Sequence, residues 1–252
     1  MLEVRNLTKT FGGLVAVNRA DFTVSSGEIL AVIGPNGAGK TTIFNLITGI
    51  LAPDKGEIKF QNRLLNRMKP YQIARLGISR TFQNLELFRT MTVAENVMVG
   101  AYTRDTTGFI GAMLRRPGTS LQDQERYAEA VEILRGVGLA DYADEQADSL
   151  PFGLQRLLEI ARALASRPKL VLLDEPAAGL NASESQALVG VLRSLQEQGL
   201  TFVLVEHDMT TVMDVADRIV VLNFGSVIAS GAPAEIRSNA EVIRAYLGED
   251  EP

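Results

Sequence analysis

The stretch Gly34-Pro35-Asn36-Gly37-Ala38-Gly39-Lys40-Thr41-Thr42 has the residue types and the spacing of a phosphate cradle. It fits G-x-x-x-x-G-K-[ST], in which glycines let the backbone curl until successive N–H groups aim at phosphate oxygens. The start of the following helix adds a favourable partial charge. In this pattern the Lys40 ammonium reaches the outer phosphates of a nucleoside triphosphate, and the Thr41 hydroxyl is placed for Mg²⁺. A Gly-rich turn carrying a chance lysine is the plain alternative, and the flanks argue against it. Ile29-Leu30-Ala31-Val32-Ile33 reads as a buried strand, and Ile43, Phe44, Leu46 and Ile47 recur at helical spacing.

A second group is Leu170-Val171-Leu172-Leu173-Asp174-Glu175, an apolar strand ending in two carboxylates. Beside a phosphate loop, Asp174 can support Mg²⁺ through the metal's water shell. Glu175 is then placed to polarise a water for in-line attack on the terminal phosphate. Taken alone, the same run is also a strand that ends in solvated acids. The third candidate is His207, the single histidine of the chain, directly after the strand-like Val203-Leu204-Val205 and Glu206. The carboxyl ends of strands in such sheets are where ligands bind. Position alone leaves His207 equally readable as a surface or structural residue.

These groups need a scaffold of parallel strands. Leu170–Leu173, Thr201–Val205 and Arg218–Leu222 are separated by helical patterns, as in βαβ units. Residues 2–33 alternate apolar and polar side chains (Leu2, Val4, Leu7, Phe22, Val24), which predicts antiparallel strands ahead of the first buried one, and Gly56–Phe60 reads as another. From about Pro70 to Leu164 the pattern is mostly helical. Tyr127, Ala130, Val131 and Leu134 there fall on one helix face. The expectation is an α/β fold with a parallel-sheet core, an N-terminal antiparallel β subdomain and an inserted α-helical lobe. The core spans about 1–83 and 165–252, and the lobe about 84–164. Gly108–Gly118, with its Arg115-Arg116 pair, reads as a surface loop, with a partner- or lipid-touching segment as the alternative.

Composition narrows the partners. At 252 residues the chain can bury a substantial core, and a net charge of −5 argues against non-specific binding to nucleic acid or to anionic lipid. No apolar run reaches the eighteen or so residues of a membrane span, and no signal-peptide pattern opens the chain. Contact with a membrane is therefore expected only through a protein partner. With no cysteine, disulfides and thiolate metal sites are excluded.

The order of phosphate loop, Gln83, the segment Leu150–Arg156, Leu172-Leu173-Asp174-Glu175-Pro176 and a strand-ending His207 resembles the ATP-binding cassette ATPases of transporters, from about Leu2 to Gly248. The resemblance implies that residues 34–42 hold ATP with Mg²⁺, with Thr41, Gln83 and (through water) Asp174 around the metal. It implies catalytic roles for Glu175, His207 and Gln83. It also implies that Phe11 stacks on adenine, a core aromatic being the alternative. Arg80-Thr81-Phe82-Gln83-Asn84, Leu87–Asn96, Asp174–Asn181 and Ile243–Glu249, together with an insertion at 103–125, are similar to the larger ATP-binding subunit of bacterial branched-chain amino acid importers. Urea and short-amide importers share much of this pattern. The implied partners are a second cassette, two transmembrane permease subunits and an extracytoplasmic substrate-binding protein, with no nucleic acid. The implied location is the cytoplasmic face of the membrane, held there by the permease.

Two departures stand out. The family's signature is Leu-Ser-Gly-Gly-Gln, which in the family crosses a head-to-tail dimer to cap the partner's γ-phosphate. Here the segment reads Leu150-Pro151-Phe152-Gly153-Leu154-Gln155. Pro151 removes a hydroxyl and a backbone N–H, a loss of about 1.5–3 kcal/mol if nothing replaces a charge-assisted contact. The Gly153 amide and the helix turn from Gln155 onward are the remaining candidate donors. Asn181 stands where many cassettes carry Asp. The expectation is a weakened site on the signature side and a competent phosphate-loop half. Rival classes are a cassette ATPase acting on DNA or ribosomes and a nucleotide-gated module that barely turns ATP over. The first usually carries a coiled coil or second cassette, and intact Glu175 and His207 argue against the second.

Overall fold

The computed structural model describes residues 1–81, 85–101 and 121–247. The chain divides into two compact units, one made of Met1–Arg80 and the segment from Leu170 onward, the other of Thr81–Lys169.

In the first unit, β1 (Leu2–Phe11) and β2 (Leu14–Val24) form an antiparallel hairpin that continues into β4 (Lys55–Phe60) and β5 (Arg63–Leu64), in the order β2-β1-β4-β5. Leu2, Val4, Phe22 and Val24 turn inward by alternation, and Leu7 joins them because the pairing register shifts between Val4 and Leu7. Between β2 and β4 lie β3 (Ile29–Ile33) and α1 (Lys40–Ile47). After β5 come α2 (Pro70–Arg75) and a short β6 (Ile78–Arg80).

The second unit is helical, with α3 (Val93–Ala101), α4 (Leu121–Gly136) and α5 (Phe152–Leu164). Its interior is built from Val93, Val97, Ala130, Leu134, Val137, Leu139 and Leu158. Gly100 permits a close approach of α3 to α5, since a Cβ there would lie 2.1 Å from the Arg162 carbonyl oxygen. Ala130 and Leu134 are buried as their spacing predicts. Tyr127 is instead exposed and donates its hydroxyl to Asp144 Oδ1 at 2.7 Å.

The chain then returns to the first unit through β7 (Leu170–Asp174), α6 (Ala182–Glu197), β8 (Thr201–Val205), α7 (Met209–Val215), β9 (Arg218–Asn223), β10 (Ser226–Gly231), α8 (Pro233–Arg237) and α9 (Ala240–Leu247). The second sheet runs β10-β9-β3-β8-β7-β6. It is parallel from β9 to β6, and β10 pairs antiparallel to β9. Every residue of β3, β7 and β8 is buried, the condition of strands covered on both faces. Ile43, Phe44, Leu46 and Ile47 of α1 share one apolar core with Leu2, Phe22 and Phe60 of the antiparallel sheet and Leu30, Leu172 and Val203 of the parallel one. β6 corrects the helical reading of the segment after Pro70, because three of its residues pair with β7 from Ile78↔Leu170 to Arg80↔Leu172.

Candidate functional site

Register places the chemistry on one edge. Val32 of β3 and Asp174 of β7 both pair with Val205 of β8, so the residues after these strands leave the sheet side by side. The loop from Gly34 to Gly39 fills the step from β3 to α1 and needs its glycines. Gly34 has φ +152°, and a Cβ there would meet the Leu222 carbonyl oxygen at 2.1 Å. Gly39 has φ +101°, and its Cβ would meet the Ala16 carbonyl oxygen at 2.4 Å. The Ile43 amide closes the first helical turn onto the Gly39 carbonyl at 3.0 Å. The amides of Lys40, Thr41 and Thr42 therefore belong to the open end of the helix. Of the remaining loop residues, Ala38 is buried, Pro35 half-buried, and Asn36 and Gly37 exposed, as is Thr41.

Lys40 is 7% exposed, and its Nζ donates to the Gly34 and Pro35 carbonyl oxygens at 2.6 and 3.0 Å. Burial pushes its pKa down, opposed by the nearby Glu175 and Asp174 carboxylates. Asp174 is buried at the end of β7 and accepts from Arg80 Nη2 at 2.7 Å. Arg80 also donates to Asn45 Oδ1 at 2.7 Å and packs on the Phe44 ring, 5.5 Å from its centroid. Both anchors lie on α1, so α1, β6 and β7 are tied together at the point where the phosphate loop ends.

Glu175 follows in the left-handed region, φ +50°, with its amide donating to the Val205 carbonyl at 2.9 Å. That conformation costs a non-glycine residue about 1–2 kcal/mol and persists where the surroundings over-determine it. Its Oε1 lies 2.7 Å from His207 Nε2; the Glu175 side chain is 13% exposed and that of His207 48%. The structure thus brings Lys40, Asp174, Glu175 and His207 to one edge of the sheet. His207 is paired with a carboxylate there and does not stand alone on the surface.

Phe11 ends β1 with 43% of its surface exposed and Lys9 Nζ 5.5 Å from its ring centroid, which removes the core-aromatic alternative. Gln83 lies outside the described residues, as does most of the 103–125 insertion. The signature segment belongs to the helical unit. There Leu150 is buried, Pro151 is the N-cap of α5, and Phe152 begins the helix 43% exposed, with Arg156 stacked 5.4 Å from its centroid. Gly153 is buried and Leu154 half-buried. The Gln155 amide donates to the Pro151 carbonyl at 3.0 Å, and its side chain donates to the Leu150 carbonyl at 2.8 Å. This corrects the helix turn expected from Gln155 onward: the helix opens at Phe152, and the Gln155 amide is already used within it. Asn181 caps α6 reciprocally, its Oδ1 accepting from the Glu184 amide at 3.0 Å while its own amide donates to Glu184 Oε2 at 2.9 Å.

Reading the chain as a sequence missed two residues of this edge. Arg80 lies 94 positions from its partner Asp174, and no local signal joins them. Glu206 is 2% exposed and follows a fully buried strand. A charge at the end of such a run is the signal that was available.

Residues 17–178 match the family described as ABC transporter, and residues 226–252 match a branched-chain amino acid ATP-binding cassette transporter segment. The chain belongs to the ABC transporter family as one of its ATP-binding cassettes. It is therefore an ATP-binding ATPase. It is 45% identical over 250 residues to the high-affinity branched-chain amino acid transport ATP-binding protein LivG of Salmonella typhimurium, covering 99% of this chain and 98% of the relative. The corresponding protein BraF of Pseudomonas aeruginosa is 44% identical over 252 residues, with the same coverage. Among solved structures, the ADP conformation of the cassette MJ1267 superposes with a TM-score of 0.87 at 31% identity over 99% of both chains. The dimeric structure of the cassette MJ0796 reaches a TM-score of 0.75 at 27% identity over 92% of this chain and 99% of that one. No helix among the described residues is long and apolar enough to cross a membrane.

Proposed function

We propose that this cassette is the ATP-hydrolysing motor subunit of an importer for branched-chain amino acids, acting from the cytoplasmic face through permease subunits. The observation that carries the chemical half is the 2.7 Å pair of Glu175 and His207, set against the phosphate loop at the strand ends. The substrate half rests on full-length similarity to LivG and BraF.

In this reading the loop amides and Lys40 hold the β- and γ-phosphates of ATP. Lys40 gives up its bonds to the Gly34 and Pro35 carbonyls to do so. Glu175 takes the proton from the water that attacks the γ-phosphorus. His207 holds Glu175 in place and offers its imidazole to a γ-phosphate oxygen. Phe11 supplies an exposed ring for adenine. When bound, Mg²⁺ would neutralise charge on the phosphates. It takes hard oxygen donors and only one or two protein groups, a set that the Thr41 hydroxyl and the Asp174 carboxylate fit. Gln83 is assigned here only by resemblance.

The partner reading is a head-to-tail pair with a second cassette. The start of α5 at Phe152 presents the Phe152, Gly153 and Leu154 amides as donors toward that cassette's nucleotide. Purification of the chain from its native membranes in mild detergent, with mass-spectrometric identification of what accompanies it, tests the assignment. Two membrane subunits and a second cassette are expected, with a binding protein for branched-chain amino acids completing the system. Recovery of the chain alone, or with ribosomes or DNA, overturns the importer reading. A system fed by a urea- or amide-binding protein overturns the substrate.

A further inference from the structure

Glu206 directly precedes His207 in the loop after β8, and it belongs to neither the phosphate loop nor the strand core. Its side chain is 2% exposed. Oε1 accepts the Ala177 amide at 2.6 Å, and Oε2 accepts the His207 amide at 3.1 Å. With the Glu175 amide on the Val205 carbonyl at 2.9 Å and Glu175 Oε1 on His207 Nε2 at 2.7 Å, the links close a ring. The backbone of the β7 loop is fixed to β8 by the Glu175 amide, the buried Glu206 ties Ala177 of that loop to its own loop, and the two more exposed side chains, Glu175 and His207, meet each other.

We infer that Glu206 is a positioning residue for hydrolysis, whose carboxylate sets the Glu175–His207 geometry by accepting one backbone amide from each loop.

The chemistry favours a carboxylate in this place. Amides arriving from both sides need an acceptor on each oxygen, and a carboxylate offers only acceptors. A glutamine presents an NH₂ to one of those amides and breaks one side of the ring. The left-handed backbone at Glu175 makes the clamp matter. A residue held at φ +50° relaxes when its surroundings stop over-determining it. Ala177, two positions on, is where Glu206 takes hold. Burial pushes the Glu206 carboxyl pKa up, while the backbone donors and His207 pull it down. The site has therefore placed a costly group where only its acceptors are needed.

The inference rests on the roles proposed above for Glu175 and His207, and its test separates the two. Glu206→Ala, Glu206→Gln, His207→Ala and the Glu206→Ala/His207→Ala double variant are assayed for steady-state ATP hydrolysis in the assembled transporter, with thermal unfolding as a check on folding. Glu206→Ala is expected to lower kcat by about 10²-fold, the cost of misplacing a reacting group by about 1 Å. Its KM for ATP should stay within about twofold, because the phosphate loop is untouched. Glu206→Gln falls between it and the wild type. In the His207→Ala background, Glu206→Ala adds little, since both act through one geometry. Wild-type turnover by a folded Glu206→Gln and Glu206→Ala, beside a slow His207→Ala, overturns the inference alone. So does a full multiplicative loss in the double variant, or a rise in KM with kcat unchanged. Wild-type turnover by His207→Ala overturns the proposed site and the inference with it. Should Glu206→Ala fail to fold, the near-isosteric Glu206→Gln carries the same comparison.

Discussion

Asp174 and Glu175 are consecutive carboxylates, yet neutralising each should cost the fold very different amounts. Asp174 and Arg80 have side chains only 5% and 9% exposed and meet at 2.7 Å. Asp174→Asn leaves the guanidinium in the same low-dielectric pocket, still bonded to Asn45 and stacked on Phe44, with the Asp174 charge removed. Breaking a buried pair from one side costs about 3–5 kcal/mol. Because the asparagine oxygen still accepts from Arg80, the lower end, about 3 kcal/mol, is expected. In a chain of this size each kcal/mol moves the melting temperature by about 2–4 °C, so the expected fall is about 6–12 °C. Glu175 pairs with a half-exposed His207, and Glu175→Gln should cost no more than about 1 kcal/mol, or up to about 4 °C. Thermal unfolding of the purified chain without nucleotide measures both. A melting temperature for Asp174→Asn within 2 °C of wild type refutes the argument, because it means that Arg80 is solvated or re-paired and that the pair does not hold α1 to β7.

Two further outcomes follow from the same edge. Glu175→Gln should lower the hydrolysis rate of the assembled transporter by about 10²–10⁴-fold while ATP still binds, and normal turnover would remove Glu175 from the role of base. Gly34→Ala puts a methyl group 2.1 Å from the Leu222 carbonyl oxygen at a φ of +152°. The strain of about 1–3 kcal/mol is relieved only by shifting the loop, so ATP should bind about tenfold or more weakly in an equilibrium titration, and unchanged affinity would show that the loop tolerates the shift.

The parts of this molecule that could be read in advance are those whose physics is local. β3, β7 and β8 are unbroken apolar runs because both faces of each strand are covered, and a glycine-lysine-threonine loop after one of them has few other uses. β6 was not legible. Ile78-Ser79-Arg80 is too short to show a period, lies in a stretch of helical composition, and becomes a strand only because β7 is there to pair with it. The stripe on α4 was right at Ala130 and Leu134. At Tyr127 the same spacing cannot tell an inward aromatic from one that reaches Asp144 at the rim. The start of α5 was misplaced because Pro151 replaces the serine that would announce a cap, and a proline suits a helix entrance without announcing it. Arg80 and Glu206 were passed over for a common reason. Each is a charge whose partner is set by strand register or loop packing, neither of which is written in neighbouring residues.

The strand that delivers the phosphate loop, β3, lies between β8 and β9, both made late in the chain. Glu28, just ahead of it, is bonded to Arg218 across 190 positions. During synthesis at about 5–20 residues per second, the loop therefore emerges about 10–40 s before the strands that flank it exist. Over that interval β3 is an unpaired, wholly apolar edge, the kind of segment that aggregates or recruits chaperones. The helical unit, contiguous in sequence, can fold on the ribosome well before the catalytic core does. Nascent-chain competence for ATP should accordingly switch on abruptly as β9 leaves the exit tunnel, making the Arg218–Asn223 strand decisive for a phosphate loop made at residues 34–42.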